Sequence, residues 1–412
     1  MKRIILPSLV MMVLFAFAGC TKEITNVRRE IVPITLTNNQ KALVLSNNAF
    51  GFDIFRKINE SESADNNVFI SPLSISLALA MTYNGADGDT RTEMQNTLRF
   101  PDFSADDING YFQKLSSTLL SLDPTVNLGF ANSIWYRQGF SVLPEFISVN
   151  QTYYNAEIQS LDFNNHASVN TINHWVATKT NDKITRVLDA ITSDQVMFLI
   201  NAIYFKGQWM YDFDKNATAD GTFHLFSAGQ STIPFMHQKG TFSYYSNDSL
   251  QLVEMPYGQG NFSMIVLLPA NGYSVSSLVG GLMPEIWSNW TDNLSKANVS
   301  ISLPKFKFEY ERKLNNDLSA LGMSKAFSPE EADFSKINAD KDLYISFVKH
   351  DSFVEVNEEG TEAAAVTTVS VAETTIAPEP SFIPFIVDRS FAFAIRETTT
   401  NTLLFMGKVV NL

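Results

Sequence analysis

The sequence predicts an α+β fold built as one large domain with antiparallel sheets, and three observations support this prediction. Apolar residues recur at helical spacing over residues 46–98, whereas later segments alternate apolar and polar residues as strands do. Helical and strand patterns are scattered along the chain, which disfavours a doubly wound parallel sheet. Residues 43–412 contain no internal repeat and no Pro- or Gly-rich linker, so we expect them to form a single body.

The composition predicts a folded protein that does not bind nucleic acid. Hydrophobic residues make up 45% of the chain, charged residues make up 18%, and 32 residues are Phe, so material for a core is ample. Disordered chains combine low hydrophobicity with high net charge, and this chain does not. Its 30 basic and 43 acidic residues give a net charge of −13, whereas binding to phosphates requires a basic surface.

The chain begins with the pattern of an export signal. Lys2 and Arg3 precede an apolar run over residues 4–18, which is shorter than the roughly 20 residues that a membrane-spanning helix needs. The run closes with small residues before Cys20, which resembles the processing site of bacterial lipoproteins. We therefore expect residues 1–19 to be a signal peptide. The alternative is an ordinary secretory signal that happens to contain a cysteine.

Cys20 is the only cysteine, so no disulfide can form within one chain. Lipidation of Cys20 explains its position better than redox chemistry does. Residues 20–42 are then expected to be a lipidated tether between the membrane and the domain over residues 43–412. Removal of residues 1–19 takes away two basic residues and no acidic ones, which changes the net charge from −13 to −15. The expected location is a bacterial envelope, on the outer membrane or cell surface.

Several elements can be predicted in chain order. Ser71 and Pro72 have the pattern of a helix start, with proline in the first turn, and the following residues form a buried helix. Gly258, Gln259 and Gly260 predict a hairpin turn because a third glycine and a following helix are absent. The predicted helices cover residues 73–83 and 171–188, and the predicted strands cover residues 263–268, 299–303, 391–395 and 403–406.

Motifs of enzymes are absent, so we expect no enzymatic activity, no metal and no cofactor. The chain contains no G-x-S-x-G, no H-E-x-x-H and no Walker loop. A Ser-His-Asp site assembled from distant residues stays open, because such triads are formed in space. The histidines show no metal-ligand spacing: His166, His174, His224, His237 and His350.

The most informative segment covers residues 354–384. A strand pattern ends in Glu358, Glu359 and Gly360, and the small or β-branched residues that follow include no aromatic, Lys or Arg. Alternate positions from Thr361 onward carry no charge, so this set of residues could face a core if the segment became a strand. The alternative is a flexible Thr/Ala linker. Its position about thirty residues from the C-terminus, between strongly apolar strand patterns, counts against a linker.

From about residue 46 to the C-terminus the chain resembles the serpin family. The resemblance rests on separated motifs in the family's order. They are Asn67-Val68-Phe69-Ile70-Ser71-Pro72-Leu73-Ser74, Ile172-Asn173-His174-Trp175-Val176 with Lys183-Ile184, Asn201-Ala202-Ile203-Tyr204-Phe205-Lys206-Gly207-Gln208-Trp209, Met255-Pro256-Tyr257, Leu303-Pro304-Lys305-Phe306, Leu321-Gly322-Met323 and Phe405-Met406-Gly407-Lys408-Val409. Two departures, Asp182 where the family usually has Gly and Ser390 where Pro is common, lie outside the hinge.

The resemblance implies a serpin fold with a five-stranded main sheet, further antiparallel sheets, surrounding helices and an exposed reactive loop over about residues 358–384. It also implies a monomeric suicide inhibitor of serine peptidases, with cysteine peptidases as a further class. The peptidase attacks a bait bond in the loop and is trapped covalently when the cut loop inserts into the main sheet. The hinge of the loop is similar to that of inhibitory members over Glu358, Glu359, Gly360, Thr361, Glu362, Ala363, Ala364 and Ala365.

Family spacing places the bait bond at Thr374-Thr375, within the range from Ala372 to Ile376. Small residues around this bond suit an elastase-like peptidase, whereas Glu373 would suit a Glu-specific one. The alternative function is a non-inhibitory surface binding protein with the same fold, such as a ligand carrier or an adhesin. The hinge composition favours inhibition.

The resemblance also implies a polar cluster that controls opening of the main sheet. Ser71, Ser74, Asn201 and His350 match the residues that link strands beneath it. Trp209 matches the aromatic residue where the loop enters the sheet, although a purely structural core Trp is an equal alternative.

Overall fold

Two sheets and a set of surrounding helices form the body of the protein in a computed structural model that describes residues 31–340, 343–361 and 381–412. The described helices are α1 (Asn38–Ser61), α2 (Pro72–Tyr83), α3 (Gly88–Thr97), α4 (Ala105–Ser121), α5 (Pro144–Tyr154), α6 (Ala167–Lys179), α7 (Val275–Gly280), α8 (Pro284–Asp292) and α9 (Asn315–Ala320). The described strands are β1 (Val68–Ile70), β2 (Val126–Arg137), β3 (Glu157–Leu161), β4 (Met197–Gln208), β5 (Ala219–Leu225), β6 (Gly229–Ser246), β7 (Leu250–Tyr257), β8 (Phe262–Pro269), β9 (Ser295–Pro304), β10 (Phe306–Lys313), β11 (Lys349–Asn357), β12 (Gly360–Thr361), β13 (Ile383–Ile386), β14 (Phe391–Glu397) and β15 (Leu403–Val409).

The main sheet has the strand order β10-β11-β12-β4-β2-β3. Five of these strands are five residues or longer, and β12 adds two residues between β11 and β4. The five-stranded main sheet expected from the resemblance is therefore present. Because β12 is antiparallel to both β11 and β4, these two long strands run parallel to each other.

The second sheet has the order β1-β15-β14-β8-β7-β6-β9-β13, with β5 paired to β6. The four strands predicted from alternation are present in it as β8, β9, β14 and β15. Tyr257 pairs with Phe262 across a tight turn in which Gly258 and Gly260 have φ values of 49° and 103°. The predicted hairpin turn is confirmed, and its left-handed positions explain the two glycines.

The two faces of the main sheet are covered by different helices. On the inner face lies α2, which is buried along most of its length. Ser71 caps this helix by accepting a hydrogen bond from the Ser74 backbone N–H, and Pro72 occupies the first turn, as predicted. On the outer face, α6 packs Ile172 and Trp175 against Trp135 of β2 and the neighbouring strand β4.

The predicted helix over residues 171–188 is wrong at its C-terminal boundary. Helix α6 ends at Lys179, nine residues earlier. Asn181 and Asp182 have φ values of 50° and 59°, in the left-handed region that ends a helix. Thr180 Oγ1 also accepts a hydrogen bond from the Ile184 backbone N–H, which stabilises the turn. Asp182 thus occupies a backbone conformation that favours the glycine usual in the family.

The predicted tether over residues 20–42 extends too far into the folded body. Helix α1 begins at Asn38, where Thr37 and Gln40 form a reciprocal capping box. Leu36 is buried in the core, and the backbone of Val32 is hydrogen-bonded to Asn261. Residues 31–42 therefore belong to the body, and only residues 20–30 remain as candidates for the tether. Within the described residues, no helix combines the length and apolar character needed to cross a membrane.

Candidate functional site

The hinge begins inside the main sheet. The chain leaves β11 at Glu358, reverses, and returns as β12 between β11 and β4. Thr361 pairs with Val356 on one side and with Gly207 on the other. Gly360 has a φ of 138°, and a Cβ added there would lie 2.0 Å from the Gly207 carbonyl oxygen. Because no other residue fits this close approach, Gly360 fixes where the hinge enters the sheet.

Aromatic side chains hold β12 from the inner face. The Tyr257 hydroxyl lies 2.8 Å from the Thr361 Oγ1 in a hydrogen bond. The ring of Trp209 stacks on that of Tyr257 at 4.4 Å between centroids. Trp209 Nε1 donates a hydrogen bond to the Asn357 carbonyl oxygen at 2.9 Å. The Trp209 backbone N–H donates to the Glu359 carbonyl oxygen, also at 2.9 Å. The structure thus places Trp209 against the hinge, in contact with both sides of its reversal.

The two hinge carboxylates bind lysines from other strands and loops. Glu358 forms an ion pair with Lys305 at 2.9 Å and accepts a hydrogen bond from the Thr218 hydroxyl at 2.8 Å. Burial alone would raise the pKa of Glu358, but Lys305 and Thr218 outweigh burial and hold the pKa below its usual value. Glu359 is paired with Lys215, whose pKa is raised by that hydrogen bond. The start of the hinge is therefore fixed by two ion pairs.

Four of the residues predicted to control sheet opening meet beneath the main sheet. The Ser71 backbone N–H donates to His350 Nε2 at 3.1 Å, and the Ser71 hydroxyl donates to the Leu404 carbonyl oxygen at 2.7 Å. The Ser74 hydroxyl donates to Asn201 Oδ1. Helix α2 therefore ties β11 and β4 to each other through its first turn, and through Leu404 it is also tied to the second sheet.

His350 is a buried neutral acceptor. Only 5% of its surface is exposed, and burial lowers its pKa to about 4. Because Nε2 accepts a hydrogen bond from Ser71, its proton resides on Nδ1. Protonation of Nε2 would remove this acceptor and place a charge in the core.

Sequence reasoning missed several members of this network. The Asn201 side chain also donates to Asn132 Oδ1 at 2.5 Å, and Asn132 donates to the Tyr154 carbonyl oxygen at 2.6 Å. On β11, the Ser352 hydroxyl donates to the Phe69 carbonyl oxygen at 2.6 Å. Only Asn201 and Phe69 lie within the motifs recognised above, so no local signal marked the other three.

A slot separates β4 from β11 along the part of the main sheet that the two residues of β12 do not reach. Within the described part of the chain, no strand pairs with residues 198–202 of β4 on the edge that faces β11. A cavity of about 150 Å³ occupies this region and passes between the two faces of the sheet. Its walls come from α2, from α6 and the segment that follows it, and from the two strands, and they include Ser74, Ala78, Leu79, Val176, Ile184, Leu188, Asn201 and His350.

The remaining predicted site residues lie outside the described residues. These are the bait bond Thr374-Thr375, the hinge residues Glu362, Ala363, Ala364 and Ala365, and the lipidation site Cys20. Among the residues that the structure describes, no group of three or more His, Cys, Asp or Glu side chains could hold a metal ion.

Comparisons with known proteins agree on one family. A family model described as serpin (serine protease inhibitor) matches residues 45–412. Leukocyte elastase inhibitor A of Mus musculus is 37% identical over 377 residues, which cover 88% of this chain and 98% of that protein.

Solved structures give the same result. The native state of the thermophilic serpin tengpin superposes with a TM-score of 0.82 at 32% identity, over 93% of this chain and 96% of that one. Human thyroxine-binding globulin, solved in complex with thyroxine, has a TM-score of 0.82 at 30% identity, over 90% of this chain and 99% of that one.

Proposed function

This chain belongs to the serpin family, and we propose that it is an irreversible inhibitor that traps its target peptidase by inserting its cut loop into the slot. The observation that carries the proposal is the position of β12. Two hinge residues are already paired between β11 and β4, at one end of a slot that no described strand fills. The loop that follows Thr361 would extend this strand.

The chemistry of trapping requires only one covalent step. The peptidase nucleophile adds to the Thr374 carbonyl carbon, the bond to Thr375 breaks, and the Thr375 nitrogen leaves with a proton as the new amine. The acyl ester that remains would normally be hydrolysed. Insertion of the new chain end carries the peptidase away from its starting position before water can attack. This chain supplies the bait bond and the strand, while the peptidase supplies the catalytic groups.

The register of β12 supports insertion of a long strand. If the observed pairings continue, Thr367 lies between Asn201 and His350, and Thr374 lies beside Asp194, just before β4 begins. Residues 361–374 would span about 46 Å at roughly 3.3 Å per residue. The proposed bond therefore leaves an inserted strand of about the length of β4.

The alternation of charged and uncharged positions at the start of the loop also agrees with this register. Thr361 faces the buried inner side of the sheet, where it contacts Tyr257. Residues two apart share a face, so Ala363, Ala365 and Thr367 would follow it toward α2. Glu362, the charged residue near the start of the loop, would point to the outer face. The uncharged set would thus meet the core without burial of a charge.

The target class follows from the residues beside the bond. Threonine and alanine suit a small aliphatic specificity pocket, so we propose elastase-like serine peptidases as targets, with Glu-specific and cysteine peptidases as further candidates. Similarity to leukocyte elastase inhibitors supports this choice. We also propose that residues 1–19 direct export and that a lipid on Cys20 anchors the protein in a bacterial envelope.

The test is exposure of the mature chain to elastase-like, Glu-specific, trypsin-like and cysteine peptidases, followed by denaturing electrophoresis. We expect a stable covalent complex with elastase-like peptidases. Mass spectrometry of the released C-terminal fragment should show that its first residue is Thr375. The alternative function is a non-inhibitory surface binding protein, which the similarity to a thyroxine-bound globulin favours. Cleavage without a stable complex across the whole panel would favour this alternative.

A paired substitution at the hinge tests insertion itself. Thr361→Arg places a charge on the inner face, so we expect a substrate that is cleaved without forming a complex. Thr361→Ser retains the hydroxyl that contacts Tyr257 and should remain an inhibitor. A Thr361→Arg protein that forms the complex with normal stoichiometry would contradict the mechanism.

A further inference from the structure

The cavity in the slot has an apolar wall on the inner side of the main sheet. Helix α2 contributes Ile75 and Leu79 to this wall, and β4 contributes Leu199. All twelve residues of α2 are described, and Ala78 is the one that is not fully buried. Because Ala78 also lines the cavity, its remaining exposure indicates open space beside the helix.

Three polar side chains in this wall already donate hydrogen bonds within the protein. The Ser74 hydroxyl donates to Asn201 Oδ1, and Asn201 Nδ2 donates to Asn132 Oδ1 at 2.5 Å. The Thr82 hydroxyl donates to the Ala78 carbonyl oxygen at 3.0 Å. None of these three side chains therefore needs a ligand to accept its hydrogen bond.

His350 differs from them. Its ring borders the cavity, and only 5% of its surface is exposed. Nε2 accepts a hydrogen bond from the Ser71 backbone N–H, so Nδ1 carries the proton. The described part of the chain provides no acceptor for this proton. A buried donor without an acceptor is unfavourable, so a ligand that supplies an acceptor atom would gain affinity from His350.

The volume and the charge of the cavity define the class of ligand. Its volume is about 150 Å³, and apolar cavities of this size bind molecules such as benzene. Burial lowers the pKa of His350 to about 4, so an anion would meet a neutral ring and lack a counter-charge. Lys349 and Asp351 also border the cavity, but they form an ion pair with each other at 3.1 Å. These features favour a neutral molecule with one acceptor oxygen.

We infer that the cavity binds a small, neutral, mainly apolar molecule through a hydrogen bond from His350 Nδ1 to a carbonyl oxygen, and that this ligand competes with insertion of the cut loop. The competition rests on the proposed inhibition. In the proposed register, Thr367 would lie between Asn201 and His350, in the space that the ligand occupies. While the ligand is bound, the inhibitor should therefore be cleaved as a substrate.

Binding can be measured without any peptidase. Acetophenone and cumene have nearly the same shape, but only acetophenone has an acceptor oxygen. Titration calorimetry of the protein at pH 7 should give a Kd about three-fold lower for acetophenone, which is the effect of one added hydrogen bond. His350→Leu should remove this preference and still bind cumene. Equal Kd values for the two probes in the native protein would overturn the role of His350, even if His350→Leu fails to fold.

A second pair of variants tests the location of the site. Ala78→Leu adds a larger side chain where α2 meets the cavity, so we expect both probes to bind about ten-fold more weakly. Ala320→Leu makes the same change at an exposed position on α9 and should bind both probes normally. Normal binding by Ala78→Leu, or no binding of either probe by the native protein, would overturn the inference.

Competition with the loop is measured with a peptidase that forms the covalent complex. Saturating acetophenone should lower the ratio of complex to cleaved inhibitor by about five-fold or more, because only the unoccupied protein can insert its loop. Hydrolysis of a small chromogenic substrate by the same peptidase should not change. An unaltered ratio at saturation would overturn the competition. If no peptidase forms a complex even without the probe, the proposed inhibition fails instead, whereas the titrations still test the site.

Discussion

At the scale of single residues, the hinge is held by contacts between positions far apart in the chain. The sequence identified Glu358 as part of the hinge, but its partner Lys305 lies 53 residues earlier and its partner Thr218 lies 140 residues earlier. No local pattern encodes such distances, because both partners are brought together only when the sheets assemble. Ser71 is the opposite case, since its role as a helix cap depends on its immediate neighbours.

Loss of the Glu358 carboxylate should loosen the hinge. In Glu358→Gln, Lys305 loses its partner, and we expect the unfolding free energy to fall by about 1 kcal/mol because one side of the pair is partly exposed. Premature insertion should also become faster, which lowers the inhibitory fraction after incubation at 37 °C. Thermal unfolding and titration against the target peptidase measure the two effects.

Glu355→Gln is the matched control for this change. Glu355 lies on the same strand and contacts Lys307 at 3.5 Å in a more exposed position. Its substitution should leave both the unfolding free energy and the inhibitory fraction after incubation nearly unchanged. Equal effects from the two variants would show that the position of Glu358 at the hinge has no special importance.

His350 should make the native state sensitive to acid. Its folded pKa of about 4 lies below the unfolded value of 6.5, so the unfolded state binds the proton more readily. The resulting stability is present above pH 6.5 and is lost as the pH falls toward 4, by about 3 kcal/mol. Denaturant unfolding between pH 7.5 and 4 should show this loss in the native protein and not in His350→Gln.

The comparison with His350→Gln is necessary because the neighbouring Asp351 changes stability in the opposite direction as the pH falls. Burial raises the pKa of Asp351 to about 6, so this residue favours the folded state as it becomes protonated. The difference between the native protein and His350→Gln isolates the histidine. His174→Gln, at an exposed position on α6, should retain the native pH dependence. A pH profile that His350→Gln does not alter would contradict the assignment.

At the scale of elements, strands and helix α2 were predictable, whereas the start of α1 and both ends of α6 were not. The strands β8, β9, β14 and β15 follow from alternation alone. Helix α6 ends early because Asn181 and Asp182 adopt left-handed backbone conformations, for which the sequence offers no glycine as a signal. The docked residues before α1 were missed because Thr37 and Gln40, which form its capping box, lie inside the segment assigned to the tether.

Two adjacent alanines in the loop provide a test of strand register. If the cut loop inserts in the register of β12, Ala365 would lie on the inner face of the inserted strand and Ala364 on the outer face. We expect Ala365→Arg to convert the inhibitor to a substrate, because insertion would bury its charge against α2. Ala364→Arg should retain most of the inhibitory activity. The ratio of complex to cleaved inhibitor on a denaturing gel distinguishes the two, and the reverse order would show a register shifted by one residue.

At the scale of the whole molecule, the uncut protein should be the less stable form. A strand added to the slot forms hydrogen bonds with both β4 and β11, each with a net value of about 1 kcal/mol. Cleavage near Thr374 should therefore raise Tm by roughly 20 °C. Calorimetry of the intact protein and of protein cut by a non-target peptidase measures the change. An unchanged Tm would show that the cut loop stays outside the sheet.

The overall architecture follows from separated motifs, whereas the placement of the N-terminal segment does not. Motifs near Ser71, Asn201 and Tyr257 indicate the family, and the family in turn implies the main sheet. The contact between Val32 and Asn261 joins positions 229 residues apart, outside every recognised motif. Only the assembled body brings these two residues together, so no local pattern in the sequence could indicate their contact.

The pairing of Gly360 within the main sheet has a consequence for the rate of the proposed loop insertion. Without β12, the cut loop would first have to search for the slot and lose the entropy of closing a loop. With β12 already paired on both sides, the proposed insertion would start from a formed nucleus and add one residue pair after another. Hydrolysis of an acyl-enzyme can reach about 10³ per second, whereas short strands pair within about 10 μs. If the cut loop inserts as proposed, the preformed nucleus would favour trapping over deacylation, and it is in place before the peptidase binds.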